Sequence, residues 1–553
     1  MISRSSAVLL AAAAGILACA VFFVSIPAEI HSGNAGEFAW PVNSLVWLYR
    51  YGMAALIALT LLPALVLPVR AAGLWACLMG ALAAYAWAYG NFVVYDFGLL
   101  DGQNFSLQVA PWKKALEGAF ILLFLAGAFA FARARPRILA GGLLVLTLGS
   151  LATAWPALTA QAPRFPKQED FSAFYEFSPE KNTLVILMDA MQSDLFEESL
   201  KTAPEVEAAL DGFTYYPDTA GVAPTTFLSI PAIHSGIEYD KTISMPEYYR
   251  VAVQEGSVFN RLAERGYRST VLNPIRRICP AKARCVTDSN LLLGERSSYV
   301  ESGAQLLDLG LLRLAPLAVK EAVYNKGQWR IAPAVSDVNL SQHAARSNAL
   351  LADLSRKAKP TSPAPTAKFL HLFNTHGPIV IDERCAYVGE TIAYSRASYR
   401  TQIVCGLKAL SGFLAALKRE GVYDATTIVL IADHGINRIR NSRAEGPFDV
   451  ATPILMGKAN PTFAFKPAGA KGPMQRSGEH NSIANVAGFI CAATGDCAIP
   501  ASRNRASRIF HDYRWKAEYW YLDKVPGITT YDIGGTLWQG ASWHVLDGSK
   551  TVN

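Results

Sequence analysis

The sequence predicts an α/β protein: an N-terminal region of five transmembrane helices followed by a doubly wound α/β domain. Three observations carry that reading. Apolar residues make up 51% of the 553 positions, and their excess sits in the first 158. Beyond that point, short continuous apolar runs at 183–188, 367–373 and 426–432 each stop at a cluster of Asp, Asn or His. Amphipathic helical patterns, notably 257–266 and 399–420, lie between the runs, and such alternation builds a sheet covered by helices.

Five segments, 6–26, 53–69, 72–94, 116–132 and 138–158, approach the roughly 20 apolar residues needed to cross a bilayer core. An odd number of crossings separates the chain ends. Arg4, Arg70, Arg133, Arg135 and Arg137 fall on one side and Arg50, Lys113 and Lys114 on the other, so the richer side is expected in the cytoplasm. A cleaved signal peptide is the rival reading of the first segment, but no small-x-small site follows it, and four further segments hold the chain in the membrane. Residues after 158 are then expected outside the cytoplasm, as a periplasmic domain on a multi-pass inner-membrane protein. Trp40, Trp47, Tyr95 and Trp112 suit the headgroup layer, as anchors or as part of lipid-binding outer loops.

The cysteines test this compartment independently. Cys279 and Cys285, Cys385 and Cys405, and Cys491 and Cys497 form three local pairs, a pattern suited to disulfides in an oxidising space. A zinc site at Cys279 and Cys285 lacks both CxxC spacing and a neighbouring His. Cys19 and Cys77 lie within the apolar segments and read as small core residues. The net charge of +7 comes without an arginine-rich run, which argues against nucleic acid and for an anionic membrane surface or acceptor.

The expected division is a transmembrane region at 1–158, a polar linker at 159–181, a catalytic domain at 182–511 and an aromatic-rich extension at 512–553 packed on it. In doubly wound sheets the ligand site lies beyond the carboxyl ends of the strands. Asp189, His376, Asp433 and His434 all fall at such ends. Asp189, Asp433 and His434 can close three positions around Zn²⁺ or Mn²⁺, leaving room for the oxygen of Thr226 at the start of a predicted helix over 227–233. Pro231 fits that helix if it lies in the first turn. A cation held there would activate a hydroxyl that scarcely ionises in water. His234 and His371 read as partners of local hydrogen bonds. Trp515, Tyr519, Trp520 and Tyr521 read as packing residues, with stacking on sugar as the second reading.

The residues from about 182 to 498 resemble the sulfatase-like branch of the alkaline phosphatase superfamily. More narrowly, five spans followed by an outward-facing domain resemble the bacterial phosphoethanolamine transferases, the phosphoglycerol transferases and the lipoteichoic acid synthases. Thr226-Phe-Leu-Ser229-Ile-Pro231 matches the Thr-x-x-Ser-x-Pro pattern around the nucleophile of the first family, which favours Thr226 over Thr225. Thr375-His376-Gly377-Pro378 is similar to its Ser-His-Gly-Pro, and Asp433-His434-Gly435 to its Asp-His-Gly.

The resemblance implies a metal site of Asp189, Thr226, Asp433 and His434 holding one divalent ion, Zn or Mn, and a transient second one. It also implies His376 and His480 as catalytic and substrate-binding groups. Arg438 and Arg440 follow the Asp-His-Gly motif closely enough to bind an anionic substrate. The implied reaction moves a phospho-alcohol headgroup, phosphoethanolamine before phosphoglycerol, from a phospholipid donor to an envelope glycan or lipid A. A phosphodiesterase or phosphatase and a non-catalytic lipid-binding sensor are the alternatives. Val222 and Ala232 stand where the transferases carry flanking cysteines, and Ile436-Asn-Arg-Ile-Arg440 replaces their Glu-Ser-Leu-Gly-Glu run. No Cys-x-Pro-x-Arg setting for formylglycine exists, which argues against sulfate ester hydrolysis.

Overall fold

The computed structural model describes residues 2–34, 38, 40–95, 109–160, 171–286, 289–325, 329–335, 343–388, 392–499, 508–516, 519 and 522–547. Residues 161–170 of the expected linker, together with Trp520 and Tyr521, lie outside them. The chain forms two compact units, one of 1–167 with 295–338 and one of 168–294 with 339–553.

The first unit is helical. It contains α1 (Arg4–Gly33), the bent pair α2 (Val42–Leu48) and α3 (Arg50–Val66), α4 (Val69–Phe92), α5 (Pro111–Ala134) and α6 (Pro136–Thr159). Four of these helices are long and apolar enough to cross a membrane, or five spans if the α2–α3 pair, bent by 49°, counts as one. α1 is the most enclosed, burying Ala7, Leu10, Ala11, Ala14 and Leu17. Its small residues allow close approach: a Cβ at Gly15 would lie 2.3 Å from the Thr60 hydroxyl of α3.

Residues 295–338 also belong to this unit. The reason is packing. Leu306 buries with Phe38 and Leu45, Leu307 packs beside Phe23 and Tyr49, and the Tyr49 hydroxyl donates to Gly303 O at 2.7 Å. At the turn before the helix Leu317–Tyr324, the Leu317 N–H donates to the Glu117 carboxylate at 2.7 Å. That carboxylate also accepts from the Tyr89 and Tyr95 hydroxyls.

The second unit is built on an eight-stranded sheet. In chain order its strands are β1 (Asn182–Met188), β2 (Thr214–Tyr215), β4 (Arg268–Leu272), β5 (Arg284–Val286), β6 (Thr366–Leu372), β7 (Thr426–Ile431), β8 (Phe463–Lys466) and β9 (Gln475–Arg476). β3 (Thr219–Ala220) pairs separately with β10 (Asn481–Ser482). The spatial order is β5-β4-β6-β1-β7-β8-β2-β9. β4, β6, β1 and β7 run parallel, while β8 is antiparallel to both β7 and β2, so the sheet is mixed. The three apolar runs are the buried central strands β1, β6 and β7.

Helices cover both faces. Leu184, Ile186 and Met188 of β1 join a core with α7 (Ser193–Thr202), α9 (His343–Lys357) and α10 (Arg396–Arg419). On the opposite face, Phe369 of β6 meets His234 of α8 (Thr226–Ser235) at 4.7 Å and Phe259 at 5.8 Å.

The three local cysteine pairs are disulfides, and Cys19 and Cys77 are buried free thiols. Cys385–Cys405 spans 20 residues and ties the loop after His376 to α10. Replacing both cysteines by Ala should lower unfolding stability by about 3 kcal/mol, read as a lower denaturant midpoint with a slope that rises as the unfolded chain opens.

An antiparallel sheet of β11 (Ile509–Asp512), β12 (Thr529–Ile533) and β13 (Trp543–Asp547) ends the unit. The boundary expected at 511/512 therefore falls inside a strand. Trp515 and Tyr519 are packing residues, both buried.

Candidate metal and nucleophile site

β1 and β7 are neighbours in parallel register, so the residues that follow them emerge side by side. Asp189 follows β1, and Asp433 and His434 follow β7. Ala190 adopts the left-handed conformation (φ 58°), which turns its N–H onto Asp433 Oδ1 at 3.2 Å. That strained residue locks the two loops together at the site. Gly435 is obligatory for another reason: a Cβ there would lie 2.0 Å from the Gly457 carbonyl oxygen.

One oxygen of each carboxylate is committed. Asp433 Oδ1 accepts from the Ala190 and His434 N–H groups, and Asp189 Oδ2 accepts from His371 Nε2 at 2.9 Å and the Thr226 hydroxyl at 3.4 Å. The other oxygens, Asp189 Oδ1 and Asp433 Oδ2, are buried without a hydrogen-bond partner. His434 Nδ1 donates to the Gly435 carbonyl at 2.8 Å, so Nε2 presents its lone pair, 3.7 Å from Asp189 Oδ1 and 3.4 Å from Asp433 Oδ2. His376 repeats the device through Gly377 O, with Nε2 3.9 Å from Asp189 Oδ1.

Lone pairs thus face lone pairs in a closed space, an arrangement that repels itself unless a cation sits between them. The donor atoms of Asp189, Asp433 and His434 lie within 4.8 Å of one another. Two carboxylates and an imidazole suit a borderline divalent ion. Burial works to raise the Asp189 carboxyl; in the ion-free site the field of His376 when protonated, the hydrogen bond from His371 and the field of His434 when protonated outweigh it and hold it below the usual carboxylate range.

Thr226 opens α8, and its hydroxyl faces Asp189, whereas the Thr225 hydroxyl faces Tyr513 at 2.6 Å. α8 extends over Thr226–Ser235, so Pro231 is an interior residue rather than a first-turn one. The helix survives because the Phe227 carbonyl, which a residue 231 N–H would have met, accepts from the Tyr249 hydroxyl at 2.7 Å.

The other expected residues make their contacts elsewhere. His480 is exposed, and its Nδ1 bonds Asp218 at 2.6 Å, a carboxylate also held by Arg508 at 2.7 Å. Arg438 and Arg440 have exposed side chains, with Arg438 over the Tyr394 ring. His371 is the residue whose partner the sequence did not disclose: its bond is to Asp189, a candidate metal ligand 182 positions away. The available signal was a lone His inside the apolar run that leads to His376. His371→Ala should lower metal affinity about 10- to 100-fold with the primary ligands intact, measurable by competition with a chromogenic chelator.

The family model described as Sulfatase matches residues 181–456, which span the candidate metal site and Thr226. The chain carries a sulfatase-family domain. No curated protein matches the chain. Among solved structures, the integral membrane lipooligosaccharide phosphoethanolamine transferase A (EptA) of Neisseria meningitidis aligns at 12% identity and TM-score 0.33, covering 88% of this chain and 94% of that one. The lipoteichoic acid synthase LtaP of Listeria monocytogenes aligns at 10% and 0.36, covering 68% and 87%. An alkaline phosphatase superfamily protein of Vibrio parahaemolyticus aligns at 12% and 0.39, covering 70% and 88%. The residues matched by the family model include Thr226 and Asp189, whose side chains meet at 3.4 Å.

Proposed function

We propose that the protein is a membrane-bound, metal-dependent transferase that moves a phospho-alcohol headgroup from a phospholipid to an envelope glycan or lipid A through a covalent intermediate on Thr226. Phosphoethanolamine is the preferred headgroup and phosphoglycerol the next. The observation that carries this reading is the Thr226 hydroxyl 3.4 Å from Asp189, beside paired orphan carboxylate oxygens. Apolar helices on the same chain favour a lipid donor.

Asp189, Asp433 and His434 would hold a divalent ion, Zn or Mn, with Thr226 beside it. Such an ion, when bound, supplies Lewis acidity that lowers a hydroxyl pKa and offsets charge on phosphoryl oxygens. Thr226 Oγ1 attacks phosphorus, the bond from phosphorus to the diacylglycerol oxygen breaks, and the headgroup phosphate stays on Thr226. His376, at the rim of the cluster, moves the proton from the threonine hydroxyl to the departing oxygen. The acceptor hydroxyl then attacks the same phosphorus and restores Thr226. His480, Arg438 and Arg440 are exposed groups suited to the anionic acceptor. The orientation implied is a periplasmic catalytic domain on an inner-membrane anchor.

The test is intact-protein mass after incubating the full chain in detergent with labelled phosphatidylethanolamine or phosphatidylglycerol. A headgroup-phosphate adduct, absent in Thr226→Ala, supports transfer and names the donor. Release of free headgroup phosphate without any acceptor supports hydrolysis instead.

A further inference from the structure

The chain entering the C-terminal extension grips the nucleophile loop at three successive points. The His511 N–H donates to the Val222 carbonyl at 2.9 Å. Tyr513 shares a 2.6 Å hydrogen bond with Thr225 Oγ1. Trp515 stacks on Phe227 with centroids 3.9 Å apart and planes at 17°. The backbone contact at 511 and the side-chain contacts at 513 and 515 lay this segment along 222–227. Tyr513 and Trp515 are themselves buried, at 8% and 3% exposure.

The middle contact has a chemical consequence. Thr225 is the N-cap of α8, and a threonine there ordinarily accepts from a backbone N–H of the first turn. It makes no such bond, because its hydroxyl is committed to Tyr513. The cap is diverted one residue before Thr226, whose own hydroxyl meets Asp189.

We propose that Tyr513 is a positioning residue for the Thr226 nucleophile: by binding Thr225 Oγ1 it keeps the cap hydroxyl from folding onto the first turn of α8 beside the reacting oxygen. This rests on the reading of Thr226 as the nucleophile. Without Tyr513, the Thr225 hydroxyl caps the turn, competes with the incoming phosphoryl group for its amide dipoles and disturbs the aim of Thr226. Trp515 holds the adjacent ring and keeps the loop in register.

Turnover of bis(4-nitrophenyl) phosphate by the full chain in detergent should fall about tenfold in kcat in Tyr513→Phe with KM unchanged, a loss expected of a misaimed nucleophile. Adding Thr225→Val should restore kcat to within about threefold of wild type, since the offending hydroxyl is gone. A second arm needs no turnover. In a Thr226→Cys background, alkylation of the thiol at position 226 by iodoacetamide should slow about threefold with Tyr513→Phe and recover with Thr225→Val, because thiolate formation tracks the dipoles beside it.

Absence of any Thr226 adduct from either labelled phospholipid, with the alkylation pattern intact, would sink the transferase reading and leave the positioning role standing. Equal alkylation with and without Tyr513→Phe, or failure of Thr225→Val to restore it, would overturn the positioning role whatever the turnover.

Discussion

Thr226→Ala should abolish the covalent adduct and lower turnover at least about 10⁴-fold, the scale seen when a nucleophile is removed and only binding and electrostatics remain. The loss should be confined to kcat. Asp189, Asp433 and His434 keep every donor atom in that variant, so metal content should match wild type. Stability should change little, because the hydroxyl gives up one long hydrogen bond of 3.4 Å and Ala is an excellent residue at a helix start. Thr225→Ala is the informative control: its hydroxyl points to Tyr513, and the adduct should still form. Mass spectrometry of the trapped protein together with metal analysis checks both. An adduct that persists in Thr226→Ala and disappears in Thr225→Ala would move the nucleophile by one residue.

The parts legible in the sequence are those with short-range signatures. β1, β6 and β7 announced themselves as continuous apolar runs because strands buried on both faces have no polar side to display. Asp189, His376, Asp433 and His434 were legible as strand-end residues. The cysteine pairs were legible by spacing.

What the sequence concealed depends on partners distant along the chain. β8 reverses direction and β9 has only two residues, and neither property leaves a pattern. Residues 295–338 join the helical unit through tertiary contacts such as Tyr49 with Gly303, 254 positions apart. Pro231 looked compatible only with a first turn, since the Tyr249 hydroxyl that replaces its missing donor cannot be foreseen locally. His371 and Tyr513 were ordinary residues until the fold placed them on Asp189 and Thr225.

The second large effect concerns metal removal, which should reverse the stability order of wild type and one variant. Wild-type protein should lose about 3 kcal/mol of stability on chelation if the ion was present at about a hundredfold its Kd. Asp433→Asn should bind the ion far more weakly and be inactive, yet its unfolding temperature should be insensitive to chelator. The chelated states then compare in an unusual direction. Wild type without an ion keeps two buried carboxylates whose free oxygens face each other, whereas the Asn carbonyl still accepts from Ala190 and His434 and its amide can donate to Asp189 Oδ1. Like charges about 5 Å apart repel by about 3 kcal/mol at an effective dielectric near 20, so removing one stabilises the metal-free protein. Asp433→Asn should therefore unfold below wild type in the presence of Zn²⁺ or Mn²⁺ and above it after chelation. Thermal unfolding of both proteins with and without chelator checks this, and a variant less stable than wild type under both conditions would show that the facing oxygens are not held apart by a cation.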